Sequence, residues 1–127
     1  MTGTPSPAPA STPSRPLRVA VAGASGRMGR MLIEALRASD DCVLAGALDV
    51  PSSPGIGSDA TAFLGHASGV AITADIAAGL KNADVLIDFT RPEGTLAHLA
   101  VCCELGVKAV VGTTGFTDVQ KAEIAVF

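Results

Sequence analysis

Three glycines at three-residue spacing, Gly23, Gly26 and Gly29, sit in the stretch VAVAGASGRMGR between Val19 and Arg30. Backbone N–H groups can touch a phosphate only where no Cβ intervenes, and such glycines supply that access. In this spacing Gly23 permits a sharp turn, Gly26 lets the chain approach a pyrophosphate, and Gly29 lets the following helix pack closely on the strand. The N-terminus of that helix adds about half an elementary positive charge, and Arg27 adds a full one. The pattern is G-x-x-G-x-x-G, a variant of the G-x-G-x-x-G dinucleotide fingerprint. Alone it is weakly specific, and a bare strand–helix turn is the competing reading. Its position between an apolar run and an amphipathic segment favours a phosphate.

Three more apolar runs end in groups suited to a ligand. Asp49 closes CVLAGAL and lies 20 residues beyond Gly29, where a carboxylate accepts hydrogen bonds from the hydroxyls of an adenosine ribose. A solvated loop aspartate competes with that reading. Val50 follows it, so a 2′-phosphate would meet a carboxylate with no adjacent cation; NADH is expected to bind at least as well as NADPH. Thr90-Arg91-Pro92-Glu93 follows VLIDF, and Gly112-Thr113-Thr114-Gly115 follows KAVV. Asp88, inside an apolar run, is expected to clamp nearby backbone N–H or hydroxyl groups rather than to catalyse, because a buried carboxylate must be hydrogen-bonded. His66 and His98 have no metal-ligand partner at useful spacing and are expected to be structural or solvated. No catalytic side chain and no metal ligand is assigned.

These groups need a sheet to hold them on one edge. Leu17–Ala22, Cys42–Leu48 and Val85–Phe89 read as buried strands, with a short strand at Val70–Thr73 and another from Lys108 to Val111. Between them, Met28, Met31, Leu32, Ala35 and Leu36 form a helical stripe. A short helix is expected near Asp75–Leu80. A longer one opens at Thr90 with Glu93 in capping-box spacing and Pro92 in its first turn; it ends at Gly106. Thr117 and Gln120 form a second capping box. Apolar strands alternating with helices predict an α/β fold with a doubly wound parallel sheet, Rossmann-like.

The bulk numbers agree with one such domain. The 127 residues are 48% hydrophobic and 17% charged, and the net charge of −3 gives no reason to expect nucleic acid. No apolar run reaches the length of a membrane span. Three cysteines, Cys42, Cys102 and Cys103, form no disulfide or zinc pattern and read as small buried thiols in a reducing cytoplasm. Met1 to Pro16 is rich in Pro, Ser, Thr and Ala, has no apolar h-region, and reads as a disordered tail. The domain is expected over residues 17–127.

GASGRMGR, IDFTRPEGT and VVGTTGF together strongly resemble the N-terminal domain of the 4-hydroxy-tetrahydrodipicolinate reductase (dihydrodipicolinate reductase) family, from Leu17 to the C-terminus. The last two motifs carry more of the specificity than the first. The resemblance implies a reductase that passes hydride from NADH or NADPH to a small-molecule substrate, in diaminopimelate and lysine biosynthesis. By the same resemblance Gly23, Ala24, Ser25, Gly26, Arg27 and Met28 would line the pyrophosphate and Asp49 the adenosine ribose. Gly112, Thr113 and Thr114 would approach the nicotinamide ribose and ring, with Phe89, Thr90 and Arg91 close to the nicotinamide side. A basic residue often follows the ribose-binding acid in the family; Val50 stands there in this sequence.

Family members continue into a second domain with a His-His-rich stretch followed by Lys, which binds substrate and builds a homotetramer. The sequence stops at IAVF in an unfinished helical pattern, so the C-terminal substrate domain is expected to be absent and the chain inactive by itself. Two rival enzyme classes are disfavoured. A short-chain dehydrogenase or epimerase needs a Tyr–Lys pair, and there is no Tyr; a semialdehyde dehydrogenase needs an activated Cys, and Cys102 and Cys103 fall within a helix. A stand-alone NAD(H)-binding or redox-sensing domain without turnover is the non-enzymatic alternative.

Overall fold

The computed structural model describes residues 16–112 and 119–120. The expected tail up to residue 15, the candidate ligands Thr113 and Thr114, the Thr117 half of the second capping box and the terminal IAVF lie outside them.

The chain runs β1 (Leu17–Ala22), α1 (Arg27–Ala38), β2 (Cys42–Leu48), a 3-10 turn (Ala62–Leu64) and β3 (Ile72–Thr73). It continues through α2 (Ile76–Leu80), β4 (Val85–Asp88), α3 (Pro92–Leu105) and β5 (Lys108–Val111). The five strands form one sheet in the order β3-β2-β1-β4-β5, and every pairing is parallel. The path moves outward from β1 through β2 to β3, returns to the other flank at β4, and ends at β5. The reversal opens a crevice beyond the carboxyl ends of β1 and β4, the place where such sheets bind ligands.

Strand periodicity divides the core. Val19 and Val21 of β1 face α1 and join Ile33, Leu36, Ala47 and Ile72. Ala20 and Ala22 face the other way and join Leu48, Leu80, Leu86 and Cys102 beneath α2 and α3. Both faces of the sheet are therefore covered, as the continuous apolar strands predicted. On α1 the buried positions are Gly29, Ile33 and Leu36. The expected stripe was thus shifted: Met28 is 45% and Met31 58% exposed, and Ala35 is exposed. Close packing at Gly29 rotates the helix so that Ile33, not the methionines, meets the sheet.

The other boundaries fall near expectation. Gly106 closes α3 in the left-handed conformation, and β3 is trimmed to two residues. The Thr90–Glu93 capping box does not form: Arg91 is the N-cap and no side chain caps α3. The Thr90 hydroxyl is taken by Asp88 instead, at 2.6 Å. The connection between β2 and β3 is organised by Asp59, which accepts from the Ser68 and Gly69 N–H groups and from Thr61. The backbone N–H of Ser68, then that of Thr61, holds its carboxyl well below the usual range. No helix among the described residues is long and apolar enough to cross a membrane.

Candidate functional site

The glycine turn is built as a cradle. Gly23 takes φ +80° and a Cβ on Gly29 would collide with the Gly23 carbonyl oxygen, so the start of α1 lies directly against the turn. Gly26 is the N-cap and carries no side chain to satisfy the first-turn N–H groups, which leaves them for an anion. Gly23 and Ala24 donate their N–H groups to the Leu48 carbonyl at 2.8 and 3.0 Å, fixing the turn to the end of β2. Ala24 is buried and offers a ligand only its backbone. Arg27 and Met28 are exposed on the first turn of α1.

Asp49 stands at the end of β2, and one carboxylate oxygen accepts from the Ser25 N–H at 2.9 Å while the other accepts from Val50 N–H at 2.8 Å. The carboxylate that sequence spacing marked for a ribose is therefore tied to the glycine turn itself. Each oxygen retains a lone pair for a hydroxyl donor. A cleft of about 380 Å³ opens beside it and draws on four strand ends: Gly23 after β1, Asp49 and Val50 after β2, Ala74 after β3, and Thr90 with Arg91 after β4. The first turns of α3 complete it with Gly94, Ala97 and His98.

Thr90 and Arg91 thus share the cleft of Asp49. Phe89 does not line it; its ring lies where a side chain on Gly112 would go. Gly112 is placed by its N–H bond to the Asp88 carbonyl at 2.8 Å. Asp88 is the clamp that its burial required. It is 1% exposed and accepts from the Thr90 hydroxyl at 2.6 Å and the Thr90 N–H at 2.9 Å.

Two features were not foreseen from the sequence. His98 is structural rather than solvated, through a partner the sequence did not name: its Nδ1 lies 2.7 Å from Asp88 Oδ2. Burial alone would raise the Asp88 carboxyl, but the hydrogen bonds from His98 and Thr90 outweigh it and hold it below the usual carboxylate range. A buried carboxylate ten residues upstream of a helical histidine was the available signal. The cysteines also divide: Cys102 is buried, with its thiol pushed up to about 11 by burial and then by the Asp88 charge, whereas Cys103 is exposed.

The family description "Dihydrodipicolinate reductase, N-terminus" matches residues 17–127. The chain belongs to that family. Among curated dihydrodipicolinate reductase relatives, the 4-hydroxy-tetrahydrodipicolinate reductase of Cupriavidus pinatubonensis (strain JMP 134 / LMG 1197) is 64% identical over 109 residues, 86% of this chain and 41% of that protein. That of Herminiimonas arsenicoxydans is 62% identical over 109 residues, again 86% of this chain and 41% of that protein. A solved structure, the dipicolinate-bound dihydrodipicolinate reductase from Paenisporosarcina sp. TG-14, superposes with a TM-score of 0.66 at 25% identity, covering 87% of this chain and 42% of that one. The chain therefore spans about 41% of the length of the curated relatives it matches, and it corresponds to their N-terminal, Rossmann-like part.

Proposed function

We propose that this chain is the cofactor-binding part of a 4-hydroxy-tetrahydrodipicolinate reductase and that it binds NADH or NADPH across the crevice between β1 and β4. The observation that carries this reading is the convergence of the β1, β2 and β4 ends on one cleft beside an uncapped helix N-terminus. In it the Gly23–Met28 turn lines the pyrophosphate, which the uncapped first-turn N–H groups of α1 hold, and Asp49 accepts hydrogen bonds from the adenosine ribose hydroxyls. Thr90 and Arg91, which share Asp49's cleft, flank the adenosine half rather than the nicotinamide. Gly112, with Thr113 and Thr114 after it, receives the nicotinamide half, next to Phe89. The bound dinucleotide supplies the hydride; the residues of this chain hold it in place and, at Ser25 N–H and Asp49, keep the turn and the ribose acceptor in register.

NADH is expected to bind at least as well as NADPH, because Asp49 is followed by Val50 and a 2′-phosphate would face the carboxylate. Titrating the 127-residue chain with each reduced dinucleotide, followed by nicotinamide fluorescence, tests both statements. Saturable binding of NADH supports the assignment; a folded chain that binds neither dinucleotide refutes it. Sequencing the source DNA beyond the Phe127 codon tests the reductase half of the proposal. A following coding segment with a His-rich stretch and Lys is the expected result, and its absence would leave a dinucleotide-binding domain without turnover.

A further inference from the structure

Of the ionisable side chains that line the cleft, the reading above leaves Glu93 and His98 without a task; Glu93 is exposed, and His98 is set into the wall. Its side chain is 13% exposed, and it lines the cleft beside Gly94 and Ala97. Asp88 fixes its tautomer. That carboxylate is ionised and can only accept, so the Nδ1 atom 2.7 Å away must donate. In the neutral imidazole Nε2 is then an acceptor, and no hydrogen bond from the described residues reaches it. Gly94 keeps this edge of the ring uncovered: a Cβ there would stand 3.8 Å from His98 Cε1. Val50, Ile76 and Ala97 give the cleft apolar walls, and the ribose acceptor Asp49 lines the same cleft. The cleft therefore presents, beside these apolar walls, one acceptor that is both oriented and largely buried, suited to a flat heteroaromatic base that carries an N–H donor.

We infer that His98 reads the purine of the dinucleotide, its Nε2 accepting a hydrogen bond from the 6-amino group of adenine and disfavouring purines with an oxygen at that position. The inference rests on the dinucleotide reading above. In hypoxanthine O6 would set lone pair against lone pair. Its N1–H lies one atom along the ring, and using it would pull the base away from the position anchored at Asp49. A site built around one buried acceptor rejects an analogue that cannot donate to it.

The test compares NADH with reduced nicotinamide hypoxanthine dinucleotide, both titrated into the full 127-residue chain at pH 8. The expected result is about tenfold weaker binding of the hypoxanthine form, with the ratio falling to about twofold or less in His98→Phe, which keeps a ring in place. Equal affinities in the unmodified chain, or a preference that survives H98F, would overturn the inference while leaving the cofactor reading intact. Failure of both dinucleotides to bind would overturn the cofactor reading, and this inference with it. Should H98F not fold, the ¹⁵N resonance of His98 Nε2 decides. NADH must shift it and reduced nicotinamide mononucleotide, which has no purine, must not; an Nε2 signal indifferent to NADH ends the proposal.

Discussion

Gly29 has little freedom, because its Cα faces the Gly23 carbonyl with no room for a methyl group. Gly29→Ala must push α1 off the turn, at about 1–3 kcal/mol for overpacking. Chemical denaturation should show the loss, and NADH affinity should fall with it as the first-turn N–H groups move. Val50 makes a contrasting case: it is 58% exposed beside Asp49, so V50R adds a cation at little structural cost. The NADPH-to-NADH affinity ratio should rise about tenfold, read by parallel titrations, since a guanidinium–phosphate hydrogen bond is among the stronger kinds. Asp88 links the site to stability. Its folded pKa is lowered from 3.8, so its contribution is present above the unfolded value and is lost as pH falls through and below about 4. Asp88→Asn should therefore cost about 1–3 kcal/mol at pH 7. The gap from the unmodified chain should close below pH 4 in denaturant melts, and a gap that stays constant with pH would contradict this assignment.

At the scale of elements, α3 shows how one helix separates neighbouring residues of the same type. Successive residues are rotated by about 100°, so Thr95, Leu99 and Cys102 fall on the buried stripe while Cys103 turns to solvent. Cys102 has its thiol pushed up to about 11, and thiol reactivity follows the thiolate. Thiol titration at pH 8 should give a fast phase that disappears in Cys103→Ser and is unchanged in Cys102→Ser. The same helix explains why capping-box spacing misled. Thr90 had two possible partners, the orphan N–H groups of α3 and the Asp88 carboxylate. Asp88 holds Thr90 by both its N–H and its hydroxyl on one carboxylate oxygen, a charge-assisted pair that satisfies the buried carboxylate, and the helix starts one residue later with Arg91 as its N-cap.

Across the whole molecule, the cleft is assembled from the ends of strands that are distant in sequence, and Asp49 with its neighbours lies within the described residues. The adenosine half of the dinucleotide should therefore dock on this chain by itself. Ligand at about 100 times its Kd stabilises by about 2.7 kcal/mol, which for a domain of this size is a rise of about 10 °C or more in Tm. NADH and ADP-ribose should both produce such a shift in thermal melts, since ADP-ribose keeps the purine, both riboses and the pyrophosphate. A shift with NADH and none with ADP-ribose would place the main binding energy on the nicotinamide side, contrary to the geometry.

Periodicity and local chemistry were enough to read the strands, the helices, the Gly106 stop and the parallel, doubly wound class, because continuous apolar runs can be buried only between two helical layers. The glycine turn, Asp49 and the Thr90–Arg91 step were likewise visible as residues, since each stands where an apolar run breaks. Their mutual placement was not. The bond from Ser25 N–H to Asp49, the sharing of one cleft by Asp49 and Thr90, and the pairing of His98 with Asp88 join residues 24, 41 and 10 positions apart. The first two depend on strand order, which periodicity does not encode. The third depends on how far α3 is rotated above β4. That rotation, like that of α1 at Gly29, is set by which side chains fit against the sheet, a property of packing in three dimensions rather than of any window of sequence.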